Sequence, residues 1–149
     1  MTLDELLPPE RVILDLKVSG KPYLIHELGR RAGIMLGLDA GPIVAALEAR
    51  EALGSTGLGR GFALPHARLV GLGSFFGLFA RLSQAIDFEA IDEKPVRLIF
   101  LLLIPPEAEH VPLLAAISRR MREPSVLEGV RSAIGPAQVR ALIVGGTGV

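Results

Sequence analysis

Residues 96–104 of the chain read Val-Arg-Leu-Ile-Phe-Leu-Leu-Leu-Ile, an apolar run that only Arg97 interrupts. The run is about half of the roughly 20 residues that a membrane-spanning helix requires, so it predicts a buried strand instead. Nearly continuous apolar character is typical of a central strand that is covered on both faces. The sequence therefore predicts a sheet with helices on both of its sides.

The chain before this run contains further predicted strands and helices. Alternating polarity indicates a strand with one buried face, and apolar residues at helical spacing indicate amphipathic helices. The predicted segments are a strand over 11–18, a helix over 21–38, a helix from 39 to about 54, a short extended segment over 61–65, a strand over 74–82 and a polar connection over 83–95.

The chain after the run is predicted to be helical. Pro105-Pro106 stops the central strand, and His110 then opens a helix whose apolar face continues to Met121. Two short helices follow near 125–133 and 136–143, and the end is expected to fray from Gly145-Gly146. No repeat or second-domain linker is evident, so we predict one α/β domain over 1–149, with its core over about 3–141 and a mixed sheet between helical layers.

Composition excludes several classes of function. The chain has 149 residues with 16 basic and 16 acidic side chains, so no overall field favours a nucleic acid or an anionic membrane. Its start, MTLDELLPPE, carries acids where a secretory signal carries basic residues, and a cytoplasmic protein without membrane insertion is expected. The absence of cysteine excludes disulfides, thiolate metal sites and cysteine nucleophiles.

The segment Gly54-Ser-Thr-Gly-Leu-Gly-Arg-Gly61 is a candidate anion-binding loop. Its glycines permit close approach and positive φ, and Ser55 and Thr56 add two hydroxyls that can bind phosphate. It is not a nucleotide P-loop, because the Gly-Lys-Ser/Thr ending is missing and a strand follows instead of a helix. A flexible connection between a helix and a strand is the alternative interpretation.

His66 is the candidate nucleophile. It follows Pro65 at the predicted end of a short strand, where rigid backbone can aim the imidazole. A phosphorylated imidazole needs one free nitrogen, a hydrogen bond on the other nitrogen and donors for the phosphoryl oxygens. The cations that can converge on it are Arg50, Arg60, Arg68 and His110.

Other interpretations of the histidines stay open from the residues alone. A single histidine is more often structural than nucleophilic, and His26 has the surroundings of an ordinary surface residue. Metal binding would need a ligand spacing such as HxxxH or HxH, which the sequence lacks. A serine hydrolase would need Gly-x-Ser-x-Gly, which is also missing.

Three separated features together resemble a known family. They are Arg50 sixteen residues before His66, the GSTG loop joined to LPH, and His110 opening a helix after the LLLIPP strand. With an AIDF turn and the HVPLLAAISRRMRE helix, they resemble the type-2 enzyme IIA domain of the bacterial phosphotransferase system. The nitrogen-regulatory branch is the most similar, and its relatives transport fructose and mannitol.

The resemblance implies roles for individual residues. His66 would accept a phosphoryl group on Nε2 from a histidine-containing phosphocarrier protein, Arg50 would bind the phosphoryl oxygens, and His110 would assist by hydrogen bonding. The implied fold is a mixed sheet between helices, of the phosphotransferase/anion-transport type, and no metal or cofactor is required. Ala67 departs from the glycine that often follows the active histidine, which can alter backbone approach there.

The resemblance leaves three functions open. One is a regulatory phosphocarrier whose phosphorylation state controls a target protein, and another is a sugar-uptake component that passes phosphate to a permease subunit. The third is a binding module that does not transfer phosphate. The apolar residues near His66 are either a docking surface for the donor or part of the core; they are Leu58, Phe62 and Leu69.

Overall fold

The structure is a computed structural model that describes residues 1–145. Fraying was predicted from Gly145-Gly146, and residues 146–149 lie outside the described residues. The strands are β1 Val12–Leu16, β2 Gly57–Gly59, β3 Phe62–Ala63, β4 His66–Arg68, β5 Phe76–Ile86 and β6 Val96–Ile104. The helices are α1 Leu3–Leu6, α2 Lys21–Leu36, α3 Ala40–Ala52, α4 Val111–Met121, α5 Pro124–Ser132 and α6 Pro136–Val144.

The six strands form one mixed sheet in the order β1-β5-β6-β3-β2, and β4 also pairs with β6. β5 runs antiparallel to β6, whereas β3 and β4 run parallel to it. β1 is parallel to β5, and β2 is antiparallel to β3. The central position predicted for residues 96–104 is confirmed.

Alternate side chains of β6 enter two separate apolar clusters. Ile99, Leu101 and Leu103 pack with α2 and α3 on one face of the sheet. Phe100 and Leu102 lie on the other face, which α1, α4, α5 and α6 cover. Helices on both sides are therefore the arrangement that buries this strand completely, as the sequence predicts.

The structure corrects the sequence prediction around His66. The segment was predicted to end as a strand at His66, but β3 ends at Ala63 and His66 begins β4. Pro65 lies between β3 and β4. It has no N–H to donate to a sheet, although its carbonyl oxygen accepts from Leu102 N at 3.0 Å. The histidine is therefore held by strand pairing with Leu102 directly after a proline.

Three other boundaries differ from prediction. β5 continues to Ile86, through residues assigned to a polar connection, because ladder hydrogen bonds do not depend on apolar side chains. The glycine loop contains β2, which forms a hairpin with β3. Helix α1 is only four residues long and is closed by a capping box between Thr2 and Glu5, which helical periodicity cannot reveal.

Candidate active site

His66 lies at the start of β4 with one ring nitrogen bound to the backbone. Its Nδ1 is 2.8 Å from the carbonyl oxygen of Leu64. A carbonyl only accepts hydrogen bonds, so Nδ1 carries the hydrogen and donates it. In the neutral ring, Nε2 then holds the free lone pair, which is the arrangement that a nucleophilic imidazole needs.

The surroundings of His66 favour the neutral ring. Burial lowers the pKa of this half-buried side chain below its ordinary value of 6.5, against the opposing effect of the Leu64 hydrogen bond. The positive charge of Arg50 lowers the pKa further, as does His110 when its ring is protonated, and Glu51 opposes them. At neutral pH the imidazole is therefore mainly uncharged, with its lone pair available for attack.

A small cavity of about 150 Å³ brings together side chains from four parts of the chain. They come from the end of α3, the glycine loop, the segment from Leu64 to β4, and α4. The lining residues are Arg50, Ser55, Thr56, Leu58, Leu64, His66, Leu114 and Ser118. Four of the predicted site residues, Arg50, Ser55, Thr56 and His66, thus share one cavity.

Arg50 reaches this cavity from the last turn of α3. Its Nη1 donates to the carbonyl oxygen of Gly54 at 2.9 Å, which ties the side chain to the beginning of the glycine loop. The guanidinium has five N–H donors, and the others have no acceptor among residues 1–145. Those donors can bind an anion beside His66.

His110 is the N-cap residue of α4. It does not line the cavity, but it is close enough for a proton gained by its ring to lower the pKa of His66. Its Nδ1 is 2.9 Å from Nη2 of Arg68. The structure therefore brings the two predicted histidines into one electrostatic environment and adds Arg68 as a direct neighbour of the second.

Comparison with known proteins identifies the family. The description "Phosphoenolpyruvate-dependent sugar phosphotransferase system, EIIA 2" matches residues 5–145. This chain belongs to that EIIA family. It is 40% identical over 134 residues to a nitrogen regulatory protein of Bradyrhizobium diazoefficiens, across 89% of this chain and 88% of the relative.

Other comparisons agree with the EIIA assignment. The crystal structure of nitrogen regulatory protein IIA-Ntr from Neisseria meningitidis superposes with a TM-score of 0.89 and 37% identity, covering 93% of this chain and 97% of that one. A fructose-specific EIIA component of Haloferax volcanii is 38% identical over 101 residues, across 62% of this chain and 66% of that protein. The resemblance derived from the motifs is confirmed.

Ser55 and Thr56 line the EIIA cavity with their hydroxyls already engaged. Ser55 Oγ donates to the carbonyl oxygen of Phe88 and accepts from Gly57 N, both at 3.0 Å. Thr56 Oγ1 donates to Glu51 Oε2, and Thr56 N donates to Glu51 Oε1 at 3.1 Å. Phosphate binding by these hydroxyls stays a prediction, and it requires each hydroxyl to give up its present acceptor.

Three residues of this region were missed from the sequence. Glu51, whose side chain is 7% exposed, accepts from Thr56 of the glycine loop and pairs with Lys21 Nζ at 2.9 Å. Leu114 and Ser118 line the cavity from α4. They lie four and eight residues after His110, and this spacing on one helix face was the available signal.

Of the remaining candidates, Leu58 lines the cavity and the others lie outside it. Arg60 directs Nη1 to the carbonyl oxygen of Arg122 at 3.1 Å. Phe62 and Leu69 are 2% and 5% exposed and belong to the core, whereas Leu58 is 45% exposed at the cavity. His26 is exposed on α2, as predicted.

Metal-binding clusters and membrane-spanning helices are both absent from residues 1–145. Within that range, no three His, Asp or Glu side chains are grouped so that they could hold a metal ion. Over the same described residues, none of the helices has the length and apolar character needed to cross a bilayer.

Proposed function

We propose that this EIIA protein is a cytoplasmic phosphohistidine carrier in which Nε2 of His66 accepts a phosphoryl group from a histidine phosphocarrier protein. The observation that carries the proposal is the bond from His66 Nδ1 to the Leu64 carbonyl oxygen, which leaves Nε2 with the lone pair. The cavity shared with Arg50 adds donors for the phosphoryl oxygens.

The transfer exchanges one nitrogen–phosphorus bond for another. The bond in the donor breaks and its electron pair returns to the donor's ring nitrogen, while the lone pair of His66 Nε2 forms the new bond. The His66 ring becomes positively charged, and its Nδ1–H stays bound to Leu64. No proton has to leave Nε2, so the protein mainly positions the groups and balances charge.

Each neighbouring residue has one part in this step. Arg50 binds the equatorial phosphoryl oxygens through its unoccupied donors, and His110 donates a further hydrogen bond. Exposed Leu58 contributes to the surface over which the donor docks. Ser55 and Thr56 shape the cavity wall and bind phosphate only after exchanging their present acceptors.

We assign the carrier to nitrogen-type regulation rather than to sugar uptake. The nitrogen regulatory relative aligns over 89% of this chain, whereas the fructose-specific relative aligns over 62%. In the regulatory role the acceptor is a target protein that responds to the phosphorylation state. Sugar uptake, with a permease subunit as acceptor, is the second candidate, and the fructose-specific relative favours it.

Phosphorylation is tested by incubating the wild-type protein with a reconstituted phosphoenolpyruvate-dependent phosphocarrier system and measuring its intact mass. The expected result is the gain of one phosphoryl group that acid treatment removes. If no acid-labile group is gained, the protein is a binding module and the carrier function fails. If a permease subunit drains the phosphoryl group onto a sugar, the regulatory assignment is wrong and the transport role holds.

A further inference from the structure

Arg68 lies on the same strand as His66 but binds a different part of the site. Residues two apart on a strand project from the same face, so His66 and Arg68 share one face of β4, while Ala67 between them is buried on the other. The Arg68 guanidinium reaches the turn between β6 and α4, where His110 is located.

Arg68 holds this turn by several carbonyl groups. Its Nη1 donates to the carbonyl oxygens of Pro105 at 3.0 Å, Pro106 at 2.9 Å and Ala108 at 2.9 Å. All three carbonyls are acceptors only, so this placement of the guanidinium does not depend on the state of any histidine. The turn that precedes α4 is thereby tied directly to β4.

The same guanidinium determines which nitrogen of His110 carries hydrogen. Nη2 of Arg68 is 2.9 Å from His110 Nδ1, and an arginine side chain can only donate. His110 Nδ1 must therefore accept, and the hydrogen of the neutral ring lies on Nε2. This tautomer is the opposite of that of His66, whose hydrogen lies on Nδ1.

The two tautomers are complementary in phosphoryl transfer. In the proposed transfer His66 Nε2 gives its lone pair to phosphorus, and a hydrogen on His110 Nε2 is the kind of donor that a phosphoryl oxygen requires. We propose that Arg68 is a positioning residue that fixes His110 in the Nε2–H tautomer, as a donor to the phosphoryl group on His66. This inference rests on the proposed function, because it assigns the donor that serves that reaction.

The first test is spectroscopic and does not require phosphorylation. Nitrogen-15 chemical shifts of the imidazoles, measured in wild type and in Arg68→Met, report the hydrogen on each ring nitrogen. We expect His110 to show unprotonated Nδ1 in the wild type and a mixture of tautomers in Arg68→Met. His66 should keep its tautomer in both, because its partner is the backbone of Leu64. An unchanged His110 tautomer in Arg68→Met overturns the inference.

The second test is kinetic and asks whether Arg68 acts through His110. Loss of the partner that orients a metal-binding histidine costs about tenfold or more, and by analogy we expect Arg68→Met to slow transfer from the phosphorylated donor by about tenfold. In a His110→Ala background the same substitution should have no further effect. An equal slowing in both backgrounds, or a normal rate in Arg68→Met alone, overturns the positioning role.

A matched control separates this effect from a general loss of stability. Arg140 also ties two chain segments together, donating to the carbonyl oxygens of Leu7 and Asp4 far along the chain. Arg140→Met should leave the His110 tautomer and the transfer rate unchanged. If the wild type accepts no phosphoryl group, the proposed function and the catalytic part of this inference both fail, while the chemical shifts still decide whether Arg68 sets the tautomer.

Discussion

The cavity at His66 and the groove at His26 are built from similar residues but have different chemistry. The groove lies between α2 and α3 and, at about 710 Å³, is much larger than the cavity of about 150 Å³. Both contain a histidine near arginine and glutamate side chains. Size alone would therefore favour the groove, and the types of charged residue do not distinguish the two sites.

The difference lies in how the charged groups are already used. In the groove, His26 faces Glu48 at 3.5 Å and Arg30 is paired with Glu27 at 2.7 Å, all on exposed or partly exposed helix surfaces. In the cavity, the ring of His66 is fixed by a backbone carbonyl, and most donors of Arg50 are unoccupied among the described residues. We therefore expect the reactive histidine to be His66, whose tautomer is fixed and whose neighbour Arg50 has available donors.

Replacing the two histidines gives the largest expected contrast. His66→Ala removes the attacking lone pair, so it should abolish acid-labile phosphorylation in an intact-mass assay. His26→Ala should be phosphorylated like the wild type, because its ring is exposed on α2 and does not line the His66 cavity. Phosphorylated His66→Ala protein would show that the nucleophile is elsewhere.

The two arginines give the next contrast. Removal of one preorganised donor to developing negative charge costs on the order of a hundredfold in rate, so Arg50→Met should slow transfer by about that factor. Arg30→Met removes only a surface pair and should leave the rate unchanged. The phosphoryl-transfer rates of the two variants are measured at equal donor concentrations. Circular dichroism checks that each variant is folded. Equal rates for the two variants would remove Arg50 from the site.

The third comparison is between Glu51 and Glu48 and concerns the free energy of unfolding. The Glu51 side chain is 7% exposed and binds Lys21 and both hydrogen-bond donors of Thr56, so Glu51→Gln should lower the free energy of unfolding by about 2–3 kcal/mol. Glu48→Gln loses only an exposed pair and should change it by less than about 0.5 kcal/mol. Denaturant unfolding measures both. A similar loss in the two variants would show that the buried network does not hold the glycine loop.

The smallest expected effect is a shift of a titration. Burial and the nearby Arg50 charge lower the pKa of His66, so the neutral wild-type ring should gain its second proton only below pH 6.5. The rate of phosphoryl transfer should therefore fall only below that pH. Arg50→Met removes one cause of the lowering, so its titration midpoint should move toward higher pH. NMR titration of the ring protons measures both. A wild-type midpoint above pH 6.5 would contradict the environment described for His66.

Patterns along the chain predicted the elements that depend on burial. The run at 96–104 required cover on both faces, and the structure provides it with alternate residues in two clusters. The convergence of Arg50 and His66 was also predicted, through the resemblance of their spacing to a known family. These features follow from periodicity and motif, which a single sequence displays directly.

Features that depend on particular long-range hydrogen bonds were not predictable. Nothing local indicates that Arg68 bonds with carbonyls near residue 106, or that Thr56 donates to Glu51. The extension of β5 to Ile86 was missed because Ser83 and Gln84 break the apolar pattern, whereas Ile86 still pairs with Val96. The start of β4 at His66 was missed because the interruption of the strand at Pro65 is visible only in the pairing with β6.

The most direct test of the central claim is to find which nitrogen carries the phosphoryl group. Nitrogen-15 and phosphorus-31 NMR of the wild-type protein, phosphorylated by its donor system, identifies the phosphorylated ring atom. The structure predicts phosphorylation at Nε2 of His66, with Nδ1 still protonated and bound to Leu64. A phosphoryl group on Nδ1 of His66, or on His26 or His110, would contradict this account.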